Sequence, residues 1–451
     1  MSAPWTGRRL HFVGVGGAGM SGYARVAHTL GAEVSGSDAV LGEYLRRLAE
    51  DGILTASIGH AASNVPAGED VELIYSSAVP AVNPERAAAR ERGLSERPRA
   101  ELLAELSALR RTIAVAGTHG KTTTASMIAH ALRAAGAEPG WLIGGNVEGG
   151  LSNAEWGRGS WLVVEADESD RSMLSLDVEI AVLTNVEMDH HASFASLGEL
   201  REAFREFLGA ARAAVVVWDR PELLALTDPE SFRERGVAVV AYDVPEPTLV
   251  PGGSRFDWRG EEVRLTVPGS HNALDAAGAL EAVRLTGTAL APAIESLEHF
   301  HGAGRRFQLL GLSAGGARVY DDYAHHPTEI AATLAGARTL EPTRLIAVFQ
   351  PHLYSRTERL AADFGVALAA ADLVVVLELY PARERAEDHP GVSAIAIAEA
   401  AADAAGGRPV YWLPRFTDAR PVLGDLLAHG DVCVVMGAGD VDSLARSLLA
   451  P

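Results

Sequence analysis

Gly117-Thr118-His119-Gly120-Lys121-Thr122-Thr123 follows the apolar run of residues 112–116 and precedes a helical pattern. A strand running through glycines into a helix is the repeating unit of a parallel α/β sheet. The glycines let backbone N–H groups converge on phosphate oxygens, and the helix N-terminus favours negative charge. Lys121 supplies a cation, and Thr122 stands where a hydroxyl serves Mg²⁺. The Gly-x-x-Gly-Lys-Thr spacing is two residues shorter than the usual Gly-x-x-x-x-Gly-Lys-Ser/Thr loop. Lys121 is also the only lysine among 39 basic residues of the lysine and arginine type. A position that keeps a compact ammonium in a chain otherwise built with arginine needs the smaller cation. The loop reads as an ATP site made of Gly117, Thr118, His119, Gly120, Lys121, Thr122 and Thr123.

Two neighbouring strand patterns, residues 161–164 and 180–184, end at Glu165 and at Asn185-Val186-Glu187-Met188-Asp189-His190. Ligands of open parallel sheets sit beyond the carboxyl ends of the strands, so Glu165 and His190 can face the loop's phosphates. A carboxylate suits Mg²⁺; histidine is a less usual ligand, and chemistry alone leaves His190 undecided. Asp167, Glu168 and Asp170 read as solvated turn residues or caps, and His191 as a bystander.

Near the start, the strand pattern of residues 10–15 runs into Gly16-Gly17-Ala18-Gly19, so that Gly14-Val15-Gly16-Gly17-Ala18-Gly19 stands at its end, with Asp38 about twenty residues on. This Gly-x-Gly-x-x-Gly pattern holds a pyrophosphate through backbone amides and fits any nucleotide diphosphate. By itself it equally suits an NAD-dependent dehydrogenase. The strand ends Ser37-Asp38 and Ser76-Ser77 read as ligand contacts or as turn residues. Toward the C-terminus, Arg305-Arg306-Phe307, residues 321–327 (Asp-Asp-Tyr-Ala-His-His-Pro) and residues 349–356 (Phe-Gln-Pro-His-Leu-Tyr-Ser-Arg) cluster polar groups at strand ends. They mark a further site.

With 451 residues, 48% of them apolar, the chain has material for about three globular domains. We expect an α/β protein with a Rossmann-like domain over residues 1–109, a central phosphate-loop α/β domain over 110–302 and a Rossmann-like α/β domain over 303–451. Residues 214–266, rich in β-branched residues and turn signals, suggest a small antiparallel extension of the central domain. A formal charge of −20 argues against nucleic acid and anionic membranes. No apolar run is long enough to span a bilayer, and the single cysteine, Cys433, suits a reducing cytoplasm. The sequence leaves monomer and homodimer open.

Taken together, these strings resemble the Mur ligases, ATP-dependent amide-forming enzymes of peptidoglycan precursor synthesis. The resemblance runs in order from Gly14 to Asp440. It rests on residues 14–20, the loop from Gly117, Glu165 to Asp170 (Glu-Ala-Asp-Glu-Ser-Asp), residues 184–190, 321–329, 349–357, and Tyr380-Pro381-Ala382-Arg383-Glu384. The resemblance implies three domains, with ATP and Mg²⁺ as cofactors. Among family members the motifs stand nearest the one that adds L-alanine to UDP-N-acetylmuramate through an acyl phosphate.

By motif position, Gly14, Gly16, Gly17, Gly19, Met20, Ser37, Asp38, Ser76 and Ser77 would meet the UDP-sugar. Thr122, Glu165 and His190 would serve the metal. Lys121 would contact the β- and γ-phosphates, Asn272 the adenine, Arg306 a phosphate and Asp322 the ribose. Tyr323, His325, His326 and Arg356 look like the amino-acid end, with His325 the candidate base. Leu353 stands where some members carry arginine. Arg205 stands near the place where other members carry a carbamylated lysine, which the alanine-adding member lacks. A recycling ligase that adds a tripeptide to the same sugar nucleotide is the nearest alternative; its pattern has tyrosine where Ser169 stands. A dehydrogenase accounts for the first glycine loop only, and a kinase for the second only.

Overall fold

The computed structural model describes residues 4–147, 152–189 and 193–450. They form two compact units, one of residues 1–243 with 275–296 and the other of residues 244–274 with 297–451.

The first unit holds two sheets. The N-terminal one has five parallel strands in the order Ala56–Ile58, Glu33–Asp38, Arg9–Val13, Val71–Tyr75, Ser95–Pro98. The order in which strands are added reverses between Arg9–Val13 and Val71–Tyr75, which themselves pair parallel, and a crevice for ligands opens at such a switch point. Both strand ends lie there: Gly14 has φ +81°, and a methyl group on it would stand 3.2 Å from the Ser76 Cβ. Helix Ala18–Thr29 starts directly from the loop with Gly17 as its N-cap, and it buries Met20, Tyr23, Ala24, Val26 and Ala27.

The second sheet has seven strands in the order Ala238–Tyr242, Ala214–Trp218, Ile180–Leu183, Arg111–Ala116, Trp161–Glu165, Gly140–Leu142, Ala154–Glu155. All pairs but the last are parallel. Its central strands carry continuous apolar runs because helices cover both faces. Helix Lys121–Ala134 buries Met127, Ile128 and Leu132, and helix Leu197–Gly209, capped by the Ser196 hydroxyl on Glu199 N at 3.2 Å, buries Phe204 and Phe207.

The expectation of an antiparallel extension over residues 214–266 holds only in part. Ala214–Trp218 and Ala238–Tyr242 are parallel members of the central sheet. Their helical connections are short, Pro221–Leu224 and Pro229–Glu234, which hid the crossover in the sequence. Only Thr248–Val250, Gly253–Trp258 and Glu261–Leu265 form the antiparallel sheet, and these belong to the second unit.

The second unit's main sheet has six strands in the order Gln308–Leu312, Arg318–Asp322, Val432–Met436, Leu345–Phe349, Leu373–Val376, Val410–Trp412. The first is an antiparallel edge, and the others run parallel. Leu345–Phe349 and Val432–Met436 are buried throughout, so the ends of three central strands, at Asp322, Phe349 and Met436, converge. Cys433 is buried in this core.

Candidate active site

The loop after Arg111–Ala116 is shaped by two glycines. Gly117 has φ +133°, and a methyl group there would lie 2.1 Å from Thr184 Oγ1. Gly120 has φ +82° and caps helix Lys121–Ala134; a methyl group on it would lie 2.5 Å from Asp275 Oδ1. Both positions therefore exclude a side chain by backbone angle and by space. The loop is pinned to the end of the neighbouring strand. Thr118 N donates to Asn185 O at 3.1 Å, His119 N to Asn185 Oδ1 at 2.8 Å, and Glu187 N to Thr118 Oγ1 at 2.9 Å. His119 Nε2 lies 3.0 Å from Glu187 Oε2.

Within this frame two of the three expected metal donors, Thr122 and Glu165, meet. Thr122 Oγ1 donates to Glu165 at 3.0 Å and 3.1 Å, and Gly144 N donates to Glu165 Oε2 at 2.7 Å. His190 and His191 lie outside the described residues. Lys121 Nζ donates to the carbonyls of Gly117 at 2.6 Å and Thr118 at 3.1 Å, and reaches Glu168 at 2.9 Å. Burial alone would lower the lysine pKa; the carboxylates of Glu168, Asp167 and Glu165 outweigh it and hold the ammonium above its ordinary value.

Of the acids read as solvated turn residues or caps, Asp167 and Asp170 do accept from N–H groups of their own turn, but Glu168 fits neither description. Glu168 is fully buried against Lys121. Asp167 and Asp170 both receive Arg99, which donates from Nη2 to Asp167 at 2.9 Å and from Nε to Asp170 at 2.7 Å. Burial would raise Asp167, but Arg99, then Lys121, hold its carboxyl well below the usual range. Sequence reasoning missed Arg99 and Glu168 because their partners lie far away along the chain.

In the N-terminal loop, Asp38 Oδ2 accepts from Gly16 N at 2.8 Å, and a side chain at Gly16 would strike that carboxylate. The Ser37 hydroxyl is turned inward, donating to the buried Glu85 at 2.7 Å. Glu85 also meets His11 at 2.8 Å, His60 at 3.1 Å and Asn64 at 3.0 Å; burial would raise its carboxyl, but these bonds pull it down to about 2. What Ser37 presents to the loop is its carbonyl, which accepts from Gly14 N and Val15 N at 2.9 Å and 3.0 Å. Ser76 Oγ caps Ala78 N at 3.3 Å, and Ser77 is exposed.

The second unit gathers the C-terminal candidates at its strand ends. Asp322 accepts from Phe307 N and Ala324 N, both at 2.7 Å; burial raises its carboxyl to about 6, against the opposing pull of Arg306. Arg306 lies 3.7 Å from Glu329 and over the Tyr323 ring. His325 Nδ1 is 2.8 Å from Tyr323 O, an acceptor only, so Nδ1 carries a proton. His326 caps helix Pro327–Arg338. Arg356 is buried, with Nη1 3.4 Å from His352 Nδ1, and the His352 ring stacks on Tyr380 at 5.8 Å. Leu353 takes φ +72°, a left-handed angle unusual for leucine, and its N–H donates to Tyr380 O at 3.0 Å. Asn272 Nδ2 donates to Pro268 O at 2.7 Å at the start of helix Ser270–Leu285. Arg205 pairs with Glu202 on its own helix, at the surface.

Three family models match the chain in order: the Mur ligase family catalytic domain over residues 9–111, the Mur ligase middle domain over 115–283, and the Mur ligase glutamate ligase domain over 305–439. A UDP-N-acetylmuramate–L-alanine ligase of Rubrobacter xylanophilus is 43% identical over 98% of this chain and 99% of its own. One of Nocardia farcinica is 41% identical, covering 98% and 94%. Among solved structures, the UDP-N-acetylmuramate-alanine ligase of Thermotoga maritima superposes with a TM-score of 0.82 at 27% identity, covering 98% of each chain. A murein peptide ligase of Psychrobacter arcticus shares the fold at a TM-score of 0.71 and 23% identity, over 99% of this chain and all of that one.

Proposed function

The chain belongs to the Mur ligase family, and from that premise we propose that it joins L-alanine to the lactyl carboxylate of UDP-N-acetylmuramate at the expense of ATP. The observation that carries the chemistry is the meeting of Thr122, Glu165 and Lys121 at the carboxyl ends of the adjacent strands Arg111–Ala116 and Trp161–Glu165. The relatives' shared activity supplies the substrates.

On this reading residues 1–109 hold the sugar nucleotide on the loop of Gly14, Gly16, Gly17 and Gly19. Residues 110–302 hold ATP on the loop from Gly117, and residues 303–451 contribute Arg306, Asp322 and the amino-acid end. Thr122 Oγ1 and the Glu165 carboxylate, 3.0 Å apart, are adjacent hard oxygen donors of the kind Mg²⁺ takes, with His190 as a further ligand. Bound there, Mg²⁺ would offset the charge that builds on the transferred phosphoryl group.

The lactyl carboxylate attacks the γ-phosphorus, the bond to the β-phosphate oxygen breaks, and ADP leaves. For this step Lys121 exchanges its loop carbonyls for the phosphate oxygens and steadies their charge. The alanine amine then attacks the acyl carbon, and inorganic phosphate departs with the bonding electrons. With Nδ1–H donated to Tyr323 O, His325 in its neutral form offers Nε2 to the proton that the amine sheds. Arg356, Tyr323 and His326 hold the alanine. The reaction belongs to the cytoplasm, where the sugar nucleotide and ATP are available, and the enzyme works as monomer or homodimer.

Phosphate release measured with one component omitted at a time tests this. Turnover is expected only with ATP, Mg²⁺, UDP-N-acetylmuramate and L-alanine together. Phosphate release that ignores the sugar nucleotide would refute the reading.

A further inference from the structure

Between the two glycine loops of the first unit stands one guanidinium. Arg99 opens helix Arg99–Ala108, and its side chain is 17% exposed. On one side its Nη1 abuts the N-terminal loop: a methyl group at Gly19 would stand 3.1 Å from it. On the other side Nε and Nη2 grip Asp170 and Asp167. Those two acids flank Glu168, which holds Lys121 at 2.9 Å.

The acidic turn is itself tied. Ser169 N donates to Asp167 Oδ1 at 2.9 Å, Ser172 N to Asp170 Oδ1 at 3.1 Å, and Ser172 Oγ to Asp167 O at 3.3 Å. Displacing either aspartate therefore displaces Glu168. A second tie runs alongside, as Asn153 Nδ2 donates to Ser21 Oγ at 3.1 Å and to Ala18 O. The result is a continuous line, from the space beside Gly19 that Arg99 fills, through its bonds to Asp167 and Asp170, along the turn to Glu168 and so to Lys121.

We propose that Arg99 is a positioning residue for the ligase reaction, setting the sugar-nucleotide loop in register with the phosphate-binding lysine. The proposal rests on the functional reading above, in which the attacking carboxylate arrives on one loop and the phosphorus on the other. Reacting atoms must approach within about 3–3.5 Å, and a misplacement of about 1 Å costs on the order of 100-fold in rate. A rigid charged fork, bonded at two nitrogens and packed at a third, supplies such a register; a flexible ammonium does not.

The test uses the intact enzyme with Arg99→Lys, Asp170→Asn and the double variant. The lysine keeps a cation between the aspartates, and Asp170→Asn leaves Arg99 with Asp167, so one can stand in if the other fails to fold. Calorimetry gives Kd for UDP-N-acetylmuramate and for ATP, and steady-state assays give kcat. We expect each Kd within about threefold of wild type and kcat down 30-fold or more. The double variant should be no worse than the poorer single, since both break the same line. Unchanged kcat would overturn the proposal, and so would a loss confined to Kd or falls in kcat that multiply. A wild-type enzyme that turns over no UDP-N-acetylmuramate would overturn the functional reading instead.

Discussion

Lys121 Nζ lies 2.9 Å from Glu168 Oε2, so the one lysine of the chain rests on a buried carboxylate supplied by the turn after strand Trp161–Glu165. The same ammonium bonds the Gly117 and Thr118 carbonyls, a three-way fit around a compact donor. A planar guanidinium at this position cannot place one nitrogen at all three oxygens. Lys121→Arg is therefore expected to lower kcat at least about 100-fold, as loss of a transition-state charge donor does. Melting temperature is the control. Near-normal turnover in a folded Lys121→Arg protein would show that the loop tolerates arginine.

Glu165 is expected to separate catalysis from stability. Its alanine variant loses the bonds from Thr122 and from Gly144 N, which costs about 1–3 kcal/mol in unfolding free energy. Activity should fall by orders of magnitude, and the Mg²⁺ concentration for half-maximal rate should rise. Thr122→Ala should show the same Mg²⁺ shift in milder form, and Thr122→Ser should restore it. A Glu165→Ala enzyme with an unaltered Mg²⁺ titration would remove Glu165 from the metal.

What was legible in the sequence follows from how local each signal is. Gly117, Gly120, Lys121 and Thr122 act within one turn of one loop, and Glu165 ends a strand that had to lie beside it, so pattern and spacing sufficed. Glu168 and Arg99 were not legible, because an acidic turn looks solvated until its partners, 47 and 71 residues away for the bonds at issue, fold against it. Ser37 was legible as a strand end but not in direction; its hydroxyl faces Glu85, from which it is separated by 48 residues. The parallel strands at residues 214–218 and 238–242 were obscured by connecting helices too short to show a clear period.

His271 gives a pH dependence with a definite sign. Its Nε2 lies 3.2 Å from the Asn272 amide, and Gly269 packs against the ring. Burial pushes its pKa down to about 4, with Glu329 opposing and Arg306 assisting. The unfolded histidine titrates near 6.5, so below that pH the unfolded chain takes up a proton that the folded chain refuses. The contribution is complete above pH 6.5 and is lost as pH falls toward 4. At pH 5 the loss amounts to about 1–2 kcal/mol after allowance for partial exposure. Asp322, shifted upward, works in the opposite direction over the same range, but it is common to wild type and variant. Melting temperatures from pH 7 to 5 should therefore fall more steeply for wild type than for His271→Gln. Parallel curves would show that His271 protonates freely in the fold.

The acceptor is the part of the function that side-chain geometry reaches least directly, and it yields the sharpest comparison. L-alanine should be the best substrate, with glycine and L-serine slower but active. A pocket that senses one methyl group commands only about 1–3 kcal/mol, or roughly 10–200-fold, so leakage toward glycine is expected on physical grounds. L-alanyl-γ-D-glutamyl-diaminopimelate should fail. Arg356 is buried beside His352, whose ring stacks on Tyr380, and this close-packed group suits a small amino acid better than a tripeptide. Ser169, where the tripeptide-adding pattern has tyrosine, points the same way; its backbone carbonyl accepts from Ser193 Oγ at 2.6 Å, tying the acidic turn to the segment beyond it. The measurement is phosphate release at saturating ATP and UDP-N-acetylmuramate across the four acceptors, expressed as kcat/KM. A clear preference for the tripeptide would reassign the chain to the recycling reaction, while the roles argued for Lys121 and Glu165 would stand, because both reactions pass through the same phosphoryl transfer.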